Sequence, residues 1–330
     1  MVIKNFKDFE GQHCETTATG SLLKQIGIDL SEAMIFGLGE GLGYIFWKMK
    51  SMDFPFIGGR IKTDVLTQNI CRNLNLHLVI NETASVKKAW KNVEDQIHKG
   101  KAVGVKLDCY HLEYFTKKIH FAGHYAAMYG YDDTDVYLID TAQQGGRVKT
   151  SLKSFELARN EKGPMSSKNL TYTIHKRNKD FDKAQAIKNA IINNAQDYLN
   201  PPIQNFGFKG ILKTSQAIKN WFENTVDIKG DFQTTAMLME KAGTGGSLFR
   251  NLYRDFLKEG ADVLESKEVE KCYLEFAKIA KLWKEIANLF HQAGETRNIE
   301  YINKASEILV LLSEKEKSAM EKLKTCIEDR

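Results

Sequence analysis

HCETTATGSLL, residues 13–23, sets a histidine and a cysteine together where a helical pattern begins. Cys14, Ala18, Leu22 and Ile26 recur at four-residue spacing, which stacks them on one helical face, and Gly27 supplies a C-terminal stop. Backbone N–H groups at a helix N-terminus are unpaired and carry partial positive charge, so a cysteine there has a stabilised thiolate. Cys14 occupies that place. It reads either as a nucleophile or as a small buried hydrophobe. A nucleophile needs a base from elsewhere in the fold, because His13 and Cys14, adjacent at a helix start, point in different directions.

Working outward, Ser31 caps a second helix with Glu32 in its first turn, and GLGEGLG (37–43) turns the chain into an alternating strand, YIFWKMK. Thr63 to Leu74 reads as helix, HLVI (77–80) as strand, and ASVKKAWKNVEDQIHKG (84–100) as an amphipathic helix closed by Gly100. AVGVKLD (102–108), HYAAMYGYDD (124–133) and DVYLID (135–140) are strands, the last two flanking a DDT turn, and TYTIH (171–175) reads as an edge strand. Beyond the charged break KRNKDFDK (176–183) the β signals vanish, and helices follow with breaks at NPP (200–202), GTGG (243–246) and Gly294. The expected architecture is α+β: an α+β domain over 1–178 and an all-helical domain over 179–330. In the last stretch Ile302, Leu309 and Leu323 form one seven-residue row, and Ala305, Leu312, Ala319 and Cys326 another. The simpler reading is a packed antiparallel helix; the sharper one is a coiled coil that makes a homodimer.

Hydrophobic residues make up 42% of the 330 and charged residues 27%, with only 4 prolines, which is the composition of a globular protein and excludes dominant disorder. No signal peptide and no run of about 18 apolar residues is seen, so a cytoplasmic protein without membrane attachment is expected. The cysteines at 14, 71, 109, 272 and 326 are odd in number and form no C-x-x-C pair, which argues against a disulfide framework and a zinc site. The net charge of +5 is spread as lysines along helices. These are solvated faces or a surface for an acidic protein partner; nucleic acid is disfavoured, since basic residues are not interleaved with aromatics.

His124 is the better base: it follows a glycine and would present its imidazole at the start of an apolar strand. Asp140, at the far end of the next strand, is its candidate orienter. An odd hairpin loop of Asp132, Asp133 and Thr134 places Asp140 opposite Ala126 and diagonal to His124 on the same face; an even loop places them on opposite faces.

Three stretches, HCETTATGSLLKQIGIDLSEAMIFGLGEGLGY (13–44), LDCYHLEYF (107–115) and HFAGHYAAMYGYDDTDVYLIDT (120–141), together resemble the N-terminal domain of the butirosin biosynthesis protein H family. GTGGSLFRNLYRDFLKEGADVLE (243–265) resembles the uncharacterised domain that accompanies it. The resemblance implies a papain-like cysteine-protease fold with Cys14 as nucleophile, His124 as base and Asp140 as orienter. It also implies acyl transfer, from an acyl carrier protein or other thioester donor through an acyl-cysteine to a small amine acceptor, as in natural-product biosynthesis. A cysteine peptidase or amidase on the same triad is the rival, and a catalytically silent binding module a third class. If transfer is to outrun hydrolysis, the helical half is expected to cover the cleft.

One departure concerns the oxyanion hole. Papain-like enzymes place a glutamine about six residues before the cysteine, where this chain has Asp8, so Gln12 is the remaining, irregularly spaced candidate. Substrate-contact candidates are Glu32, Tyr110, Tyr114, Arg250 and Tyr253, the two from the helical half lying just after GTGG, which resembles an anion-binding helix start. Cys109 is a lesser thiol candidate, lacking a helix N-terminus. GLGEGLG is neither a dinucleotide fingerprint nor a P-loop, and no cofactor is implied. His120 and His124 suggest a metal, but no third ligand is in view, so none is expected.

Overall fold

Helix-forming and strand-forming segments alternate up to residue 175, in the order α1 (Cys14–Gln25), α2 (Glu32–Leu38), β1 (Leu42–Trp47), β2 (Phe56–Arg60), α3 (Val65–Asn73), β3 (His77–Asn81), α4 (Val86–His98), β4 (Val103–Leu107), β5 (His124–Tyr131), β6 (Asp135–Ile139), β7 (Arg147–Ser151), α5 (Leu152–Asn160) and β8 (Thr171–His175). Helices α6 (Lys183–Leu199), α7 (Gly207–Asn224), α8 (Ile228–Lys241), α9 (Arg250–Leu264), α10 (Lys267–Thr296) and α11 (Ile299–Glu328) complete the chain. This computed structural model describes residues 1–50, 52–163, 165–178 and 180–328. Lys179, the expected first residue of the second domain, lies outside them. Among the described residues no helix is long and apolar enough to cross a membrane.

The fold is mixed α+β, with a sheet domain and a helical C-terminal region. Two compact units emerge: residues 1–35 with 66–181, and residues 36–65 with 182 onward. The expected single cut after residue 178 therefore misplaces an insertion, and the second unit is not all-helical, because it carries the antiparallel pair β1–β2. Local chemistry explains the attachment. Tyr44 Oη lies 2.6 Å from Thr214 Oγ1, Asn194 donates to the Leu42 carbonyl at 2.8 Å, and Phe46 N donates to the Asn205 carbonyl at 3.0 Å. A Cβ at Gly37 would lie 1.9 Å from the Phe256 ring, so the glycine-rich segment serves close packing within this unit.

The first unit is built on an antiparallel six-stranded sheet, ordered β3-β8-β4-β5-β6-β7. β8 is interior, not an edge: it pairs with both β3 and β4, and Thr171 to Ile174 are all buried. One face packs against α4 and α5 through Val93, Ile97, Val105, Met128, Leu138 and Phe155. The other carries Tyr172, whose hydroxyl lies 3.0 Å from Thr19 Oγ1, so α1 covers the opposite face. Helix α1 is buried from Cys14 to Leu23 despite four hydroxyl residues. Each is satisfied: Thr16 and Thr17 donate to the His13 carbonyl, Ser21 to the Thr17 carbonyl, and Thr19 contacts Thr67.

In the second unit the two heptad rows of α11 are consumed internally. Ile302, Ala305, Leu309, Leu312, Ala319 and Leu323 are all buried within the chain, and α10 and α11 are joined by a short connection that makes them antiparallel neighbours. Cys326, the last member of the second row, is half-buried, and the packed-helix reading holds for the other six positions.

Candidate active site

The N-terminus of α1 is fixed before any catalytic side chain is considered. His13 is the N-cap, its Nδ1 accepting from Thr16 N at 3.4 Å, and Cys14 is the first helical residue. Glu32 braces the approach: its carboxylate accepts from Gln12 N at 2.9 Å, His13 N at 2.8 Å and Thr16 Oγ1 at 2.7 Å. Glu32 is thus a positioning residue and not a substrate contact, because its oxygens are already engaged by the chain they hold. Gly11 is compelled here as well, since a Cβ would sit 2.5 Å from Thr17 Oγ1.

The His124–Asp140 pair arises from an unexpected register. Tyr131 pairs with Val136, which makes the hairpin loop four residues long, an even number that would separate the two side chains. A β-bulge between Met128 and Gly130 shifts the ladder by one, so that Met128 pairs with Leu138 and Ala127 with Ile139. Continued one step, this register sets Asp140 opposite Ala126, and His124 Nε2 lies 2.7 Å from Asp140 Oδ2. The expected juxtaposition is present, for a different reason than loop parity.

Asp140 is 1% exposed and accepts three donors: His124 Nε2, Tyr114 Oη at 2.7 Å, and Thr141 N at 2.6 Å. Burial works to lower the His124 pKa, but the charge of Asp140, that of Cys109 and hydrogen bonds to both outweigh it and hold the imidazole well above its ordinary value. Burial and Asp140 together push the Tyr114 phenol well up. With Nε2 donating to Asp140, Nδ1 is the ring nitrogen left for a thiol. Phe115 closes the side of the imidazole edge-on at 5.2 Å.

Two thiols reach this cluster. Cys109, in a three-residue 3-10 turn after β4, interacts directly with His124, whereas the charge of Cys14 acts on Tyr114. Cys14 itself is 9% exposed. Gly11 O accepts from Ala142 N at 2.8 Å, which ties the segment leading to Cys14 to the segment just after Asp140. Cys71, by contrast, is pushed up to about 12 by burial.

The remaining expected site residues separate. Gln12, two residues before Cys14, is exposed, with its backbone held by Glu32. Asp8 is paired with Arg147 at 2.6 Å. Tyr110 is 41% exposed and stacks on His120 at 4.0 Å. Tyr114 orients Asp140, a role that sequence reading did not assign. Arg250 and Tyr253 are core residues and not substrate contacts: both are 0% exposed. Arg250 makes a bidentate pair with Glu316 at 2.9 and 2.8 Å and donates to the carbonyl of Leu248 at 2.8 Å. Glu316 also accepts from Trp283 Nε1 and Tyr198 Oη. GTGG is no anion-binding helix start either, because Gly245, Gly246, Ser247, Leu248 and Phe249 all adopt positive φ before α9 begins. The turn is held by Ser247 N donating to Glu240 at 2.8 Å and Asn251 donating to the Gly245 carbonyl at 2.9 Å.

Metal-binding geometry occurs elsewhere than at the histidine pair read from the sequence. His111, His120 and Glu161, not His124, bring their ligand atoms within 4.8 Å of one another.

Residues 13–141 match the family described as butirosin biosynthesis protein H, N-terminal, and residues 153–323 match a domain of unknown function, DUF4872. The chain belongs to the butirosin biosynthesis protein H family. Its helical region is the accompanying domain of unknown function. No curated protein matches the chain. A crystal structure described as that of a C39-like peptidase from Bacillus anthracis is similar at 17% identity and a TM-score of 0.37, over 54% of this chain and 98% of its own. Membership in the butirosin biosynthesis protein H family supports a cysteine-type enzyme.

Proposed function

We propose that the protein is an acyltransferase that carries an acyl or aminoacyl group on Cys14 and delivers it from a thioester to an amine, forming an amide. The observation that carries this reading is Cys14 as the first residue of a twelve-residue helix, acting electrostatically on Tyr114, whose hydroxyl shares Asp140 with the Nε2 of the buried His124 imidazole. The Cys14 thiol gives its proton to His124, and the thiolate attacks the thioester carbonyl. The tetrahedral intermediate expels the donor thiol, which takes a proton from the imidazolium. The amine then attacks the acyl-cysteine, His124 accepts an ammonium proton, and collapse releases the amide and the Cys14 thiolate, which takes that proton back. Thioester exchange is nearly isoenergetic, so amide formation drives the sequence. Asp140 holds the tautomer and stabilises the imidazolium, while the Cys14 N–H at the helix end and Gln12 are the proposed oxyanion donors. An acidic carrier protein suits the lysine-rich surface as donor, and a small amine as acceptor.

A second reading rests on Cys109, whose thiol acts directly on His124 and would make it the nucleophile. A third outcome is peptide or amide hydrolysis on the same groups. Intact mass after incubation with an acyl thioester or acylated carrier protein separates them. An acyl adduct lost in Cys14→Ala and retained in Cys109→Ala, with transfer to added amine, supports the proposal. Retention in Cys14→Ala with loss in Cys109→Ala moves the nucleophile, and peptide cleavage without thioester reactivity replaces transferase by peptidase.

A further inference from the structure

Three elements of the first unit converge beside the candidate active site without serving it. His111 ends the 3-10 turn after β4, His120 lies in the loop before β5, and Glu161 caps the C-terminus of α5. Glu161 Oε2 is 2.7 Å from His111 Nε2, and the ligand atoms of all three side chains lie within 4.8 Å of one another. His111 and Glu161 are mostly covered, with 17% and 26% of their side chains exposed.

His120 is 59% exposed, and an imidazole so open to water would ordinarily sample several rotamers. Here it is held twice. The Tyr110 ring stacks on it at 4.0 Å with an interplanar angle of 11°, and its Nδ1 lies 3.2 Å from Oδ2 of Asp108. Asp108, 1% exposed, is itself fixed by Tyr110 N at 2.7 Å and Phe121 N at 3.3 Å. A buried carboxylate taking the Nδ1–H of an imidazole sets the tautomer with its lone pair on Nε2 and raises that nitrogen's basicity, which is how metal-ligating histidines are oriented.

We propose that His111, His120 and Glu161 form a binding site for a divalent first-row transition ion, Zn²⁺ above all. Two imidazoles and one carboxylate suit zinc, and three protein ligands leave a fourth, solvent-facing position for water. Tetrahedral zinc with bonds of about 2.0–2.1 Å needs ligand atoms about 3.3 Å apart. The trio reaches this by small side-chain rotations, which open the His111–Glu161 contact and draw His120 inward. The ion would clamp the segment between β4 and β5 to the end of α5. That segment carries Tyr114 and Phe115, which touch Asp140 and His124, so the clamp borders the candidate active site without supplying a group to it.

Zn²⁺ titration of the reduced full-length protein by calorimetry, with Co²⁺ absorption as a second readout, tests the site. One equivalent is expected to bind, with affinity falling at least about 10-fold in His120→Ala and in Glu161→Gln, and staying within about twofold in Cys14→Ser and Cys109→Ser. The Co²⁺ spectrum should show d–d bands of a low-coordinate N/O site and no thiolate-to-metal charge transfer. No saturable binding, unchanged affinity in the two ligand variants, or a thiolate charge-transfer band in the wild type would each overturn the proposal. The last of these holds even where a variant fails to fold.

Discussion

Two of the molecule's buried polar clusters look alike in a sequence and differ in what they leave unspent. In the helical unit Arg250 and Glu316, both 0% exposed, use their groups on each other and on Leu248, Trp283 and Tyr198. In the sheet unit Asp140 is equally satisfied, but it satisfies His124 through one ring nitrogen only, and the imidazole also meets a thiol. A closed network specifies packing. An imidazole shared between a carboxylate and a thiol can move a proton.

Breaking the second cluster should cost chemistry. Asp140→Asn is expected to lower acyl transfer by about 10³- to 10⁴-fold while leaving the fold intact, measured as steady-state rate beside circular dichroism. The same substitution has a pH signature. Because Asp140 raises the His124 pKa in the folded state, the imidazolium's stabilisation is fully present below the ordinary histidine value of about 6.5 and is lost as pH rises through the raised folded value. Without the Asp140 charge the alkaline limb of the rate profile should move to lower pH; an unmoved limb would remove His124 from the mechanism.

Breaking the first cluster should cost stability. Glu316→Ala strands the Arg250 guanidinium in the core and is expected to destabilise the protein by about 3–5 kcal/mol in urea unfolding. Replacing both members by apolar residues of similar volume should cost less than Glu316→Ala alone, and the reverse order would contradict a closed structural pair.

The smallest effect belongs to the brace between chemistry and fold. Glu32→Ala leaves the Gln12 and His13 amides without their acceptor and should cost about 1–3 kcal/mol of stability. Because it acts only through the placement of Cys14, it should lower kcat by roughly tenfold with little change in KM. A rise in KM alone would return Glu32 to the role of substrate contact.

Much of the site was legible because it rests on local rules. The four-residue row of α1, the position of Cys14 at its start, and the strands beginning at His124 and ending near Asp140 follow from periodicity and turn chemistry. The bulge that unites His124 with Asp140 had one signal, Gly130 within a strand. That residue also accepts a close bridge from Val2, and a Cβ there would lie 2.9 Å from the Val2 Cα, a contact between segments far apart in the chain.

The substrate roles given to Glu32 and Arg250 failed for the same underlying reason. A carboxylate or guanidinium at a helix start reads as a ligand contact until its partners are known, and here those partners are backbone amides one element away, or Glu316 66 residues on. His111 and Glu161, 50 residues apart, were likewise invisible as a pair.

Taken by itself, the sequence determined the α+β character, the helix that begins at Cys14 and the candidate chemistry of thiol, imidazole and carboxylate, since these depend on side-chain period and type over a few residues. Tertiary structure decided which polar groups are spent and which remain reactive. That depends on the partner that fills each hydrogen-bonding position, and a partner can come from anywhere in the chain.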